Sequence, residues 1–181
     1  MIEGKLVNLR AMEMSDLERC TRWINDREVT RFLAMRYHMS LAAEEAWLRD
    51  LVSRPMSFER PFFGIETKDG VHIGNTNFFD VSPEDHSASL GIMIGEKAYW
   101  GRGYGTDALM TLLAFGFDEM NLHRAQLDVY AFNERAMACY RKCGFVEEVR
   151  QRQHIYQDGQ YYDDITMGLL RTEFEAVRAA A

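Results

Sequence analysis

The sequence predicts an α/β domain built on one central mixed β-sheet with helices on its faces. Three observations carry this. The apolar period switches along the chain between the alternation of a strand and the 3.6-residue repeat of a helix. Asp69-Gly70 and Asp158-Gly159 each separate two strand-like runs, as a tight hairpin turn does. Taken in order, the segments read β-α-α-β-β-β-α-β-α-β-β, which a mixed sheet covered by helices accommodates. A chain of 181 residues, 47% of them hydrophobic, fits a single domain with a sizeable core. Residues 1–172 are assigned to that domain and 173–181 to a C-terminal tail.

Residues 5–10 (KLVNLR) alternate apolar and polar, as a half-buried strand should. Ser15 and Glu18 have capping-box spacing and open a helix with the stripe Leu17, Cys20, Trp23 and Ile24. A second helix covers residues 41–53, with Ser40 as its cap. Strands at 62–67 and 71–79 flank the Lys68-Asp69-Gly70 turn, and a strand at 88–94 follows the loop at Pro83. Over 105–120 the period becomes helical: Ala108, Leu109, Leu112, Leu113, Gly116, Phe117 and Met120 share one face. Residues 124–129 form a strand, and 134–143 a helix closed by Gly144 in the left-handed conformation. Two last strands, at 146–156 and 161–169, flank Gln157-Asp158-Gly159-Gln160.

Composition narrows the function. Twenty-one Lys and Arg against 28 Asp and Glu leave a charge of −7, the wrong sign for gripping a phosphate backbone. A cationic small substrate or peptide suits it better, although the same charge also serves solubility. No apolar run approaches 18 residues, and MIEGKLVNLR has no signal-peptide pattern. Cys20, Cys139 and Cys143 form neither a disulfide framework nor a zinc set, so the expectation is a reducing cytoplasm and no metal. Cys139 and Cys143, four apart, point to one helix face.

The chemistry concentrates in Trp100-Gly101-Arg102-Gly103-Tyr104-Gly105-Thr106, between a strand and a long helix. Glycines there turn the chain sharply and leave N–H groups uncovered at a helix N-terminus, which is an anion site. An acidic protein can thereby hold a pyrophosphate without many lysines. The glycines also satisfy a loose dinucleotide fingerprint, with Asp128 about twenty residues further on. Against that, residues 95–99 intervene after the strand, and only one βαβ unit is present; a loop that merely turns the chain is the plainer alternative. Downstream, Asn133 opens a helix that carries Tyr140. Alone they read as an N-cap and a packed aromatic.

Together the two segments resemble the GCN5-related N-acetyltransferase (GNAT) superfamily, and its RimJ/RimL-like branch in particular. The resemblance spans most of the chain. Leu9-Arg10, the first helix and Trp23-Ile24-Asn25-Asp26-Arg27-Glu28-Val29 resemble the branch's opening pattern. Residues 101–106 resemble its pyrophosphate loop and residues 133–145 its second acetyl-CoA motif. The resemblance implies the single-domain GNAT fold, acetyl-CoA as donor and a primary amine as acceptor, either a protein N-terminus or a small molecule; a homodimer is common in the branch. Ile92, Met93 and Ile94 would line the pantetheine arm, where the central strands part. Arg102, Gly103, Tyr104, Gly105 and Thr106 would hold the pyrophosphate, Asn133 and Ala136 would contact the cofactor, and Tyr140 would sit beside the sulfur.

A phenol of pKa about 10 can protonate a departing thiolate whose thiol has pKa about 8.5, and Tyr140 fits that role. A backbone N–H of 92–94 would polarise the carbonyl. Ser89 stands where many relatives place a carboxylate, so Asp128, Asp80, His86 and a water chain are all open as the base. An α-amine of pKa about 7.8 costs only about 1 kcal/mol to deprotonate at pH 7, a lysine-like amine about 4.6 kcal/mol. The missing base therefore leans toward a low-pKa amine. Polyamine-acetylating members are also similar at Asp158-Gly159-Gln160-Tyr161. They carry an acidic pair where this chain reads Leu33-Ala34-Met35-Arg36, which demotes them. A non-catalytic acyl-CoA sensor is a further alternative, disfavoured by Tyr140. Residues 23–32, the loop 80–87 and the turn 157–160 are expected to shape the acceptor pocket.

Overall fold

The computed structural model describes residues 1–55 and 57–180. One eight-stranded sheet runs through the molecule. Its strands are β1 (Ile2–Glu3), β2 (Val7–Arg10), β3 (Phe62–Thr67), β4 (His72–Ser82), β5 (Ser87–Ile94), β6 (Arg124–Tyr130), β7 (Val146–Gln157) and β8 (Gln160–Leu170). They lie in the order β1-β2-β3-β4-β5-β6-β8-β7. Every neighbouring pair is antiparallel except β5 and β6, which run parallel. That parallel pair is joined over three positions only, from Ser87↔Arg124 to Ser89↔Gln126. β5 continues to Ile94 and β6 to Tyr130 without pairing, so the sheet opens into a gap.

The helices are α1 (Leu17–Ile24), α2 (Arg27–Thr30), α3 (Leu41–Ser53), α4 (Tyr104–Ala114), α5 (Glu134–Lys142) and α6 (Arg171–Ala179). Successive β5 residues point to opposite faces. Ile92 and Ile94 pack into the large core under α4, with Phe78, Leu109, Leu112, Leu127 and Ile165. Met93 packs on the smaller core of Met12, Cys20, Trp23, Val29 and Leu48, which α1 and α3 enclose.

The hairpins form where the turn residues put them. Gly70 has φ +79°, and Asp158 and Gly159 have φ +50° and +82°, the paired positive angles of a type I′ turn. Gly144 closes α5 at φ +97° as expected. β1 and α2 are additional to the expected elements, and three further segments differ from expectation. The helical face at 105–120 starts at Tyr104 and ends in a widened π turn, Phe115–Glu119. Most of the expected tail is α6, anchored by Phe174, whose ring stacks on Phe117 with centroids 5.0 Å apart. The Ser15–Glu18 capping box does not form: Met14–Asp16 is a 3-10 turn in which Glu13 and Asp16 cap each other, and Ser15 is exposed.

Asp16 is the reason for that last difference. Its carboxylate is 1% exposed and accepts two bonds from Arg10, each 2.8 Å. His72 Nδ1 lies 3.0 Å away, and the Glu13 N–H donates at 2.9 Å. Burial alone would raise the Asp16 carboxyl, but the Arg10, His72 and Glu13 hydrogen bonds overcome it and hold it well below the usual range. A depressed carboxyl stabilises the fold above its unfolded value and loses that contribution as pH falls. Asp16→Asn is expected to cost about 2 kcal/mol at pH 7, below the usual cost of breaking a buried pair because Arg10 keeps Glu66. Urea unfolding at pH 7 and pH 3 checks this; a deficit that fails to shrink at pH 3 would contradict the linkage.

Candidate active site

The gap between β5 and β6 leads into a cleft of about 320 Å³. Ile92, Met93 and Ile94 form its β5 wall. Gly101, Gly103, Gly105 and Thr106 form its upper end, and Asn133, Ala136, Cys139 and Tyr140 its far wall. Most of the residues singled out from sequence thus share one cavity. Arg102 and Tyr104 do not line it with their side chains. Arg102 donates back to the Ala98 carbonyl at 3.2 Å, and the Tyr104 ring packs edge-on to Tyr99 at 4.9 Å.

The glycine loop has the geometry of an anion site. Gly103 is the N-cap of α4 at φ +88°, and no side chain caps the first turn. Asp107, one turn in, would place a negative charge there, but its carboxylate is turned to the N–H groups of Lys5, Leu6 and Val7. The helix N-terminus is therefore left open toward the cleft. Trp100 is held by its indole N–H, which donates to the Ile94 carbonyl at 2.7 Å, and Arg135 stacks on it at 4.0 Å.

Across the cleft, Asn133 is 8% exposed and its Oδ1 accepts from Ala136 N at 3.3 Å, so the N-cap reading holds while its side chain still faces the cavity. Tyr140 is 8% exposed and packs edge-on to Phe145. Its hydroxyl makes no hydrogen bond among the described residues. Burial, with the thiols of Cys139 and Cys143 beside it, pushes the phenol well above its ordinary value, so it stays protonated. Cys139 meets the Thr106 hydroxyl at 3.2 Å and fastens α5 to α4. Both thiols are free; Cys143 is buried with its Sγ donating to the Thr106 carbonyl at 3.9 Å, and the proximity of the two thiols makes Cys139 the more readily ionised.

The proposed bases lie apart from this cavity. Asp128 accepts from the Thr166 hydroxyl at 2.7 Å on an exposed face. Asp80 lines a separate groove with Phe62 and Pro83, so the loop 80–87 does not shape the cleft. His86 sits in the β4–β5 turn, where its carbonyl receives His123 N. The turn 157–160 does reach the α2 region: Asp158 pairs with Arg27 at 2.5 Å, Gln157 donates to the Arg31 carbonyl at 2.9 Å, and Arg36 bonds the Tyr156 carbonyl. Of residues 23–32, Val29 and Phe32 line the cleft as expected, while Leu33 and Arg135 complete the wall and were not foreseen there. Among the described residues no group of three or more His, Cys, Asp or Glu is placed to hold a metal, and no helix is long and apolar enough to cross a membrane.

A parted sheet, an uncapped glycine loop and a buried tyrosine thus meet in one cleft. The family model for the acetyltransferase (GNAT) domain matches residues 7–146, and the chain belongs to that family. It is an acetyl-CoA-dependent N-acetyltransferase. Among its relatives is the spermidine N(1)-acetyltransferase of Vibrio cholerae, 27% identical, with 93% of this chain and 95% of that protein covered. Another is YdaF of Bacillus subtilis, to which a ribosomal N-acetyltransferase role is ascribed, 25% identical over 93% of each chain. The crystal structure of the Vibrio cholerae spermidine enzyme with CoA and spermine matches with a TM-score of 0.84 at 24% identity. It covers 95% of this chain and 99% of its own, a likeness in fold.

Proposed function

We propose that this cleft holds acetyl-CoA along β5 and delivers its acetyl group to a primary amine, an α-amine of a peptide ahead of a polyamine. The uncapped N-terminus of α4, facing the cavity through Gly103, is the observation that supports the donor site. First-turn N–H groups at 104–106 would bind the pyrophosphate. The unpaired edge of β5 at 92–94 would receive the pantetheine amides, as an added strand would, and a backbone N–H there would polarise the thioester carbonyl. Asn133 and Ala136 would contact the cofactor from α5. The acceptor nitrogen attacks the carbonyl carbon, the C–S bond breaks, and Tyr140 gives a proton to the sulfur.

Acceptor choice rests on the cavity mouth. The guanidinium of Arg31 lies 5.2 Å from the ring of Phe32 and that of Arg135 5.5 Å from it. Arg135, which lines the cleft with Glu28 as its nearby counter-charge, would favour an acceptor whose amine neighbours a carboxylate. The polyamine reading draws on the spermidine-named relatives, and it is the second reading here. With the first reading go membership of the RimJ/RimL-like branch, a cytoplasmic setting and a homodimer. An acceptor panel of serine-initiated acidic tripeptide, glycinamide, kanamycin and spermidine, followed by CoA release, separates the readings. The peptide is expected to exceed spermidine at least tenfold in kcat/KM. The reverse order would install the polyamine reading, and no release with any amine would leave only an acyl-CoA-binding module.

A further inference from the structure

The three cysteines sit in different surroundings, and only one of them meets the cleft. Cys20 is 2% exposed in the smaller core, where the Asn75 amide donates to its sulfur at 3.7 Å and burial pushes its thiol up to about 11. Cys143 is buried beneath α5. Cys139 is half-buried and lines the cleft wall beside Ala136, Tyr140 and Lys142. The Tyr140 hydroxyl in the same wall has no hydrogen-bond partner among the described residues, so this stretch of wall is open to a ligand and not only packed.

Thr106 ties the two thiols of α5 to α4. Its hydroxyl lies 3.2 Å from Cys139 Sγ, and its carbonyl accepts from Cys143 Sγ at 3.9 Å. Thr106 is the third residue of α4, in the first turn that no side chain caps. A thiolate at Cys139 is therefore placed beside a thiol donor, a hydroxyl donor and the positive end of a helix. The Cys143 hydrogen bond first, then the Thr106 hydroxyl and the Lys142 charge, outweigh burial and bring the Cys139 thiol below its ordinary value. Reactive cysteines share this pattern of partial exposure, a nearby cation and hydrogen-bond donors aimed at sulfur, which Cys20 lacks.

We propose that Cys139 is a modification site for hydrogen peroxide, and that its oxidation and the binding of acetyl-CoA exclude each other. The proposal rests on the donor-site reading of the cleft. The Cys139 thiolate attacks one peroxide oxygen; an S–O bond forms and the O–O bond breaks. Sulfur gives up two electrons and becomes a sulfenic acid, while hydroxide leaves and takes a proton from solvent to become water. A thiol reductant reverses the step. It condenses with the sulfenic acid to a mixed disulfide with loss of water, and a second thiol releases Cys139. The added oxygen crowds Thr106 and the turn that would hold the pyrophosphate. Acetyl-CoA lying along this wall would in turn cover the sulfur. A protein loaded with donor is thus shielded, and an empty one under peroxide is switched off.

Peroxide treatment of the whole protein with dimedone present, followed by peptide mass mapping, is the test. The adduct is expected on Cys139 and not on Cys20. With acetyl-CoA at about 100 times its Kd, only about 1% of clefts are empty, so modification should slow by about 100-fold. Protein oxidised without dimedone should bind acetyl-CoA at least about tenfold more weakly in calorimetry, the worth of one lost hydrogen bond, and dithiothreitol should restore it. Cys143→Ala should slow the labelling, because the hydrogen bond that favours the thiolate has gone. Cys139→Ser keeps an oxygen beside Thr106, and its own rate should be the same before and after peroxide. Cys139 left unmodified, Cys20 labelled at the same rate, or acetyl-CoA that binds without slowing the reaction overturns the proposal while the donor-site reading stands. A wild-type protein that binds no acetyl-CoA overturns both.

Discussion

A Gly103→Glu variant is expected to fold and to lose acetyl-CoA binding by at least about a hundredfold. A Cβ at this position meets only Leu6 Cδ1, at 3.5 Å, so no packing forbids the substitution. The backbone at φ +88° costs an L residue roughly 1–2 kcal/mol, which a domain of this size survives. The carboxylate, however, would sit at the N-cap of α4 and take the first-turn N–H groups for itself. The site would then be filled by the chain's own anion, and a pyrophosphate would meet repulsion where it now meets donors. Gly103→Ala carries the same backbone strain without the charge and should weaken binding far less. Calorimetric titration of acetyl-CoA into both variants, with circular dichroism to verify folding, gives the comparison. Unchanged affinity in a folded Glu variant would remove the phosphate-loop assignment.

What could be read from sequence was what neighbours in the chain decide. Asp158-Gly159 dictates its own turn, because both residues tolerate positive φ and the strands follow from there. Ala108, Leu109, Leu112 and Leu113 all lie in the core, because one helical face buries as a unit. The misplaced start of α1 has a distant cause: Asp16 answers to Arg10 and to His72 on another strand, and the first turn tightens around that pair. The same holds at the site. Asn133 and Tyr140 stand out because a helix start and a short spacing frame them. Arg135 does not, since its place in the cleft wall depends on Trp100 from the glycine loop, which meets it only once α5 packs beside that loop. The side chains of Arg102 and Tyr104 mislead for the opposite reason, because the loop backbone faces the cavity while the side chains fold back.

Tyr140→Phe is expected to lower kcat by about 10²-fold while acetyl-CoA affinity stays within twofold, provided chemistry limits the rate. The ring and its edge contact with Phe145 remain, and only the hydroxyl goes. General-acid contributions commonly fall between about 10² and 10⁴. Because the hydroxyl has no partner among the described residues, its removal breaks no structural bond, and stability should change by less than about 1 kcal/mol. Burial keeps the phenol protonated across the working pH range, so the wild-type enzyme should show no alkaline loss of rate from this group below about pH 10. The measurement pairs steady-state kinetics on a saturating amine with a cofactor titration of the same variant. Full activity in the Phe variant would mean that solvent protonates the leaving thiolate and that Tyr140 serves packing alone. A kcat loss with intact affinity assigns the proton to the hydroxyl, because no other property of the side chain has changed.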